Sequence, residues 1–146
     1  MTLVLPRALL RQIREHGQAH YPEEGAGLLL GRVQDGQRLA ARLLPLDNSF
    51  EATARGHRYR LSAIDLITAE EEADRLGLDI LGVYHSHPDH PPRPSEFDRE
   101  WALPSYSYVI TSVHAGAAVE SRSWRLTDDR SAMVEEDLVI LPEEAT

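Results

Sequence analysis

Residues 79–87, Asp-Ile-Leu-Gly-Val-Tyr-His-Ser-His, are apolar and β-branched enough to form a strand, and they run directly into Pro88. That segment constrains the fold more than any other. Side chains two apart on a strand face the same side, so His85 and His87 project together, about 6.6 Å apart along the chain. Ser86 points the opposite way. Pro88 ends the pairing and sends the chain into a loop.

The loop reads Asp89-His90-Pro91-Pro92-Arg93-Pro94, and three of its six residues are proline. Proline stiffens a loop and lowers the entropy cost of presenting the residues beyond it. Those residues include Ser95 and Asp98, spaced as the N-cap and third helical position of a capping box. A capping box needs no further function, yet it would also hold Asp98 in the first helical turn, within reach of the strand end. His85, His87 and Asp98 then form a three-ligand set of mixed nitrogen and oxygen type. Three protein ligands leave a fourth position open, which distinguishes catalytic from structural zinc sites. His90 is an alternative or transient ligand. His16, His20, His57 and His114 lack partner spacing and are expected on the surface or in the core.

Hydrolysis needs a base beside the metal. Tyr21-Pro22-Glu23-Glu24-Gly25-Ala26-Gly27 carries two candidates just ahead of a continuous apolar run, Gly27–Val33. A carboxylate at the mouth of such a strand, next to glycines, is able to sit in a cleft with backbone close by.

Composition narrows the alternatives. The 146 residues fit one domain, 1–146, with a hydrophobic core. There is no cysteine, which excludes disulfides, thiolate zinc sites and a thiol nucleophile. The net charge is -9, and every basic residue is arginine. No basic stripe is visible, so no nucleic-acid partner is expected. The absence of lysine removes Schiff-base mechanisms. No apolar run approaches the roughly 20 residues that span a bilayer, so no membrane association is expected. The first residues break into charge too early for a secretory signal, which makes the cytoplasm the expected location.

The remaining pattern alternates strands and helices. Residues 2–5 read as a strand, and Pro6 suits the start of a helix carrying Leu9, Leu10 and Ile13 on one face to about Gly17–His20. Arg38–Leu46 pairs with Gly27–Val33 across the Asp35-Gly36 turn. Residues 47–57 read as a loop and Tyr59–Leu61 as an extended piece. Ser62 and Asp65 start a helix that Gly77 ends after Leu76. A short helix over Ser95–Leu103 stops at Pro104. Tyr106–Val113 and Val119–Leu126 form a hairpin about Ala115-Gly116, and Met133–Leu141 is a last strand or ordered tail. The class is α/β or α+β with a mixed sheet.

With these residues in place, the chain resembles the JAMM (MPN-plus) metalloprotease family, in its compact prokaryotic form. The family motif is a glutamate just ahead of a glycine-bearing strand, then H-[ST]-H-P, six residues, and S-x-x-D. Glu24-Gly25-Ala26-Gly27, His85-Ser86-His87-Pro88 and Ser95-Glu96-Phe97-Asp98 match it, and the element order agrees over essentially the whole chain. Ala26 stands where relatives often carry cysteine, at a position that is not a ligand.

The resemblance implies a single MPN-type α+β domain. Its mixed, mainly antiparallel sheet would pack with helices in a cytidine-deaminase-like layering. It implies one Zn2+ per chain on His85, His87 and Asp98, although ligand type alone also suits iron or manganese. Glu24, rather than Glu23, would be the base, and Ser95 would donate to the oxyanion. The implied substrate is a ubiquitin-like or sulfur-carrier protein cut after its C-terminal Gly-Gly, for example to remove an added amino acid, with the tail bound beside a sheet edge. The alternatives are another amide substrate on the same fold, or a non-catalytic metal-binding module. The chain would act as a monomer or homodimer.

Overall fold

The computed structural model describes residues 2–46 and 61–143. The loop expected at 47–57 and the extended piece at Tyr59–Arg60 lie outside the described residues. Strand β1 covers Thr2–Pro6 and leads straight into helix α1, Arg7–His20. The apolar residues of α1 recur on one face, so Leu9, Ile13 and Gly17 are buried against the sheet. Strands β2 (Ala26–Gln34) and β3 (Gln37–Leu46) form the expected hairpin.

Helix α2, Ala63–Leu76, begins at a reciprocal capping box in which Ser62 and Asp65 exchange two 3.1 Å bonds. It ends at Gly77, whose φ of 67° is the left-handed cap that glycine adopts without strain. Strand β4 is Asp79–Pro88, helix α3 is Glu96–Trp101, and β5 (Ser107–His114) and β6 (Ala117–Leu126) form a second hairpin. The chain closes with β7, Met133–Glu136, and β8, Leu138–Leu141. No helix among the described residues is long and apolar enough to cross a membrane.

The strands form one mixed sheet in the order β7-β6-β5-β4-β2-β3-β1-β8. Four of its pairings are antiparallel and three parallel, so the sheet is mainly antiparallel, as expected. Only Asp137 separates β7 from β8, yet these strands stand at opposite ends of that order. The sheet therefore curls until its two edges meet, and the Asp137 carbonyl accepts from Leu3 N at 3.0 Å. The buried Arg38 guanidinium reaches from β3 to the Leu81 carbonyl at 2.9 Å and Ser107 Oγ at 3.2 Å.

Two core clusters lie on opposite sheet faces. One joins α1 to Leu3, Leu5, Leu29, Leu81, Tyr84 and Val109. The other joins Ala69 of α2 and Ala102 after α3 to Leu28, Val83 and Tyr108.

Two sequence expectations need correction. The final segment is not one strand, because its halves pair with different partners, β6 and β1. The helix at Ser95 stops at Trp101 rather than Leu103. Ala102 turns extended to bury itself, Leu103 N donates to Tyr108 Oη at 2.6 Å, and a residue preceding proline disfavours helix.

Candidate metal centre

The face on which β4 presents its histidines is decided by a bulge. Leu29 pairs with Gly82 but Leu30 pairs with Ile80, so Leu81 is an extra residue in β4. Leu81 and Val83, two residues apart, consequently pack into different clusters, so the alternation restarts one step out of phase. Beyond the bulge, Tyr84 faces α1, while Val83 faces the side of α2 and α3. His85 and His87 share the phase of Val83, as their period of two requires. Their ring centroids lie 4.9 Å apart, and both residues are buried.

Ser86, pointing toward α1, fixes the second part of the site. Its Oγ accepts from Gly25 N at 2.8 Å, and its own N–H donates to the Gly25 carbonyl at 2.9 Å. Helix α1 comes close because residue 17 is glycine: a Cβ there would stand 3.0 Å from Ser86 Cβ. The clamp on Gly25 sets Glu24 beside β4. Glu24 is 2% exposed, and its Oε1 lies 3.4 Å from His85 Nδ1. Glu23 is half-buried and outside the cluster that Glu24 forms with His85 and His87.

The capping box brings in Asp98. Ser95 N donates to Asp98 Oδ2 at 2.8 Å, and Asp98 N donates to Ser95 Oγ at 3.1 Å. Held so, Asp98 directs Oδ1 to His85 Nε2 at 3.5 Å and Oδ2 to His87 Nε2 at 3.1 Å. Capping and site formation are thus one arrangement. His87 Nδ1 lies 3.0 Å from the Pro91 carbonyl, an acceptor that orients the ring and turns Nε2 toward Asp98.

Burial alone would raise the pKa of Asp98, but His85, His87 and the Ser95 N–H outweigh it and hold that carboxyl at about 2. Burial alone would likewise lower His85. The carboxylates of Asp98 and Glu24 reverse this and raise it above its ordinary value.

These donors suit a divalent cation. Glu24, His85 and His87 offer ligand atoms within 4.8 Å of one another, and Asp98 touches both imidazoles. Glu24 Oε2 is buried with no hydrogen-bond partner among the described residues, an unfavourable position that a cation or a water held by one would relieve. Buried imidazole and carboxylate together match the preferences of zinc and its neighbours.

A cleft of about 320 Å³ opens over the cluster, lined by Glu24, His87, Pro88, His90, Pro91, Arg93 and Ser95. Ser95 Oγ acts as acceptor in the cap, so its O–H remains available as a donor toward the cleft. His90 lines the cleft but is not among the gathered ligand atoms. His16 contacts Tyr84 and His20, and His114 sits near Asp89, all away from the cluster. His57 lies outside the described residues.

Sequence reasoning missed the tie that joins the two loops of the site. Tyr21 Oη donates to Asp89 Oδ2 at 2.6 Å, and Asp89 Oδ1 accepts from Ala115 N at 2.8 Å. Asp89 has a φ of 58°, which aspartate tolerates better than most residues. It links the segment before Glu24 to the segment after His87.

Comparison with known proteins places the chain in a family. A desampylase from Haloferax volcanii is 33% identical over 106 residues, 72% of this chain and 73% of that protein. A probable TtuB-protein conjugate cleaving protease from Thermus thermophilus is 36% identical over 110 residues, 75% of this chain and 70% of that protein. A solution structure of a protein from Salinibacter ruber has 45% identity and a TM-score of 0.74, covering 100% of this chain and 95% of its own. The family model Prok-JAB, prokaryotic homologs of the JAB domain, matches residues 6–127. The chain therefore belongs to the prokaryotic JAB family, the compact branch of the JAMM/MPN proteins.

Proposed function

We propose that residues 1–146 act as one catalytic domain, a zinc peptidase or isopeptidase. It would hydrolyse the amide after the C-terminal Gly-Gly of a ubiquitin-like or sulfur-carrier protein. The observation that carries this is the buried Glu24 carboxylate, with Oε2 unsatisfied, beside two histidines and Asp98 at the floor of an open cleft. The relatives named for cleaving TtuB conjugates and for desampylation support the substrate class.

In this reading His85, His87 and Asp98 hold one zinc ion. The support is geometric: Asp98 faces Nε2 of both imidazoles, whereas Glu24 faces His85 from its Nδ1 side. A bound zinc acts as a Lewis acid and brings the pKa of a coordinated water to about 7. Glu24 accepts the proton of the attacking water and passes it to the leaving nitrogen. Its burial keeps bulk water from competing for that proton. The Ser95 O–H donates to the oxygen on which negative charge develops, and losing one such donor typically costs about 2.7–4 kcal/mol. The three prolines between Pro88 and Ser95 keep that donor in place without bound substrate.

The test is mass spectrometry of a sulfur-carrier protein extended beyond Gly-Gly and incubated with this chain. Loss of the extension, blocked by a chelator and restored by zinc, is expected. An unaltered carrier in the zinc-loaded reaction would sink the proposal.

The same site makes two further outcomes measurable. Zinc competes with protons for the imidazoles, and the carboxylates raise the proton affinity of His85. Occupancy is expected to fall as pH drops through the raised His85 pKa, read by metal content after dialysis. Full retention at about pH 4 would argue against a two-histidine site. Asp89→Ala removes the tie between the loops, and turnover should fall about 10-fold with the fold intact. Asp89→Asn, which keeps an acceptor for Ala115 N, should fall less. Equal losses in the two variants would show that the side-chain bonds are not what matters.

A further inference from the structure

Of the residues lining the cleft, Arg93 alone carries a permanent positive charge. Among the described residues no hydrogen bond or ion pair engages its guanidinium. The neighbouring cation behaves differently: Arg99 is committed to Glu96 and to the Arg130 carbonyl.

The backbone that carries Arg93 is pinned on three sides. Arg93 N donates to the Pro91 carbonyl at 2.8 Å, and that same carbonyl lies 3.0 Å from His87 Nδ1. Trp124 Nε1 donates to the Pro92 carbonyl at 3.0 Å. Prolines stand on both sides, at positions 92 and 94. The rigid backbone fixes where this uncommitted guanidinium starts, two residues from Ser95, so only its side-chain rotamers have to be ordered on binding.

The surroundings dictate what it would bind. The chain carries a net charge of -9, and the floor of the site holds the Glu24 and Asp98 carboxylates. With a divalent cation held there the two carboxylates are offset, so the floor carries no surplus of positive charge for an anion and Arg93 supplies the positive charge in the cleft wall. Guanidinium matches a carboxylate with two parallel N–H···O bonds.

We infer that Arg93 is a specificity-determining residue that receives the free α-carboxylate of the residue on the leaving side. The enzyme would then favour release of a C-terminal amino acid from the carrier over cleavage of an isopeptide, whose leaving lysine offers no such group at the chain end. This rests on the function proposed above and goes further by naming the chemical form of the leaving group.

The test uses the sulfur-carrier protein prepared with three extensions: Gly-Gly-Ala as the free acid, the same as the carboxamide, and Gly-Gly-Glu as the carboxamide. Wild-type kcat/KM is expected to favour the free acid over the alanine carboxamide by about 10- to 100-fold. In Arg93→Gln that ratio should collapse toward one, and Arg93→Lys, which keeps charge without the fork, should fall between. The ratio isolates recognition, since any general damage affects both substrates. Equal wild-type rates on acid and carboxamide, or a preference that survives in Arg93→Gln, would overturn the assignment and leave the proposed hydrolysis standing. A glutamate carboxamide cut as fast as the free acid would overturn the α-carboxylate in favour of a side-chain carboxylate. No cleavage of any of the three would remove the peptidase form of the proposed function and this assignment with it.

Discussion

Glu24→Gln is expected to keep about one zinc per chain and to lose hydrolysis by roughly 10²- to 10⁴-fold, the range a positioned acid–base group contributes. Glutamine has nearly the same shape, so the clamp between Gly25 and Ser86 and the packing around residue 24 should survive. Only the ability to take up a proton is removed. His87→Ala serves as the contrast, because it should lose metal and turnover together. Elemental analysis beside a cleavage assay separates three outcomes. Metal kept and activity lost supports Glu24 as the base. Metal kept with unchanged turnover means that another group moves the proton. Metal lost in Glu24→Gln means that Glu24 is itself a ligand, in the set it forms geometrically with His85 and His87.

Part of this site is legible in the sequence because its rules are local. His85 and His87 share a face by the period of a strand, and the Ser95–Asp98 spacing specifies a cap whatever surrounds it. Glu24 is different. It lies some 60 residues from the histidines, and only a β2–β4 pairing with Ala26 opposite His85 brings it in. Their immediate neighbours leave Glu23 and Glu24 equivalent, and the family motif is needed to choose. Curling of the sheet has no local signature either, since it depends on β7 and β8 finding different partners across ladders about 4.7–4.9 Å wide. Ser86 has none because its role is set by a helix glycine far away in the sequence. The extra residue at Leu81 is invisible for the same reason: a bulge is a mismatch between two strands, and one strand alone does not reveal it.

That bulge leads to the largest effect expected on stability. Gly82→Ala should destabilise the protein by more than about 3 kcal/mol or prevent folding, well above the usual effect of one substitution. A Cβ at position 82 would stand 1.8 Å from the Ser107 carbonyl oxygen and 2.7 Å from Ser107 N. Those atoms are backbone of β5, held in register opposite Gly82, and they cannot yield by a rotamer change. Relief requires parting β4 from β5 or losing the bulge, and losing it slips the register by one residue, which would turn His85 and His87 to the face of α1. Even a variant that folds should therefore bind zinc poorly. Gly36→Ala is the control: its φ of 74° disfavours alanine, but nothing lies within 4 Å of the added carbon. About 1 kcal/mol is expected there, with zinc binding unchanged. Urea denaturation midpoints and metal content measured on both variants decide the matter. Similar midpoints would mean that β4 and β5 do not approach as closely as described. A destabilised Gly82→Ala that still binds zinc at full strength would detach the aim of the histidines from the bulge.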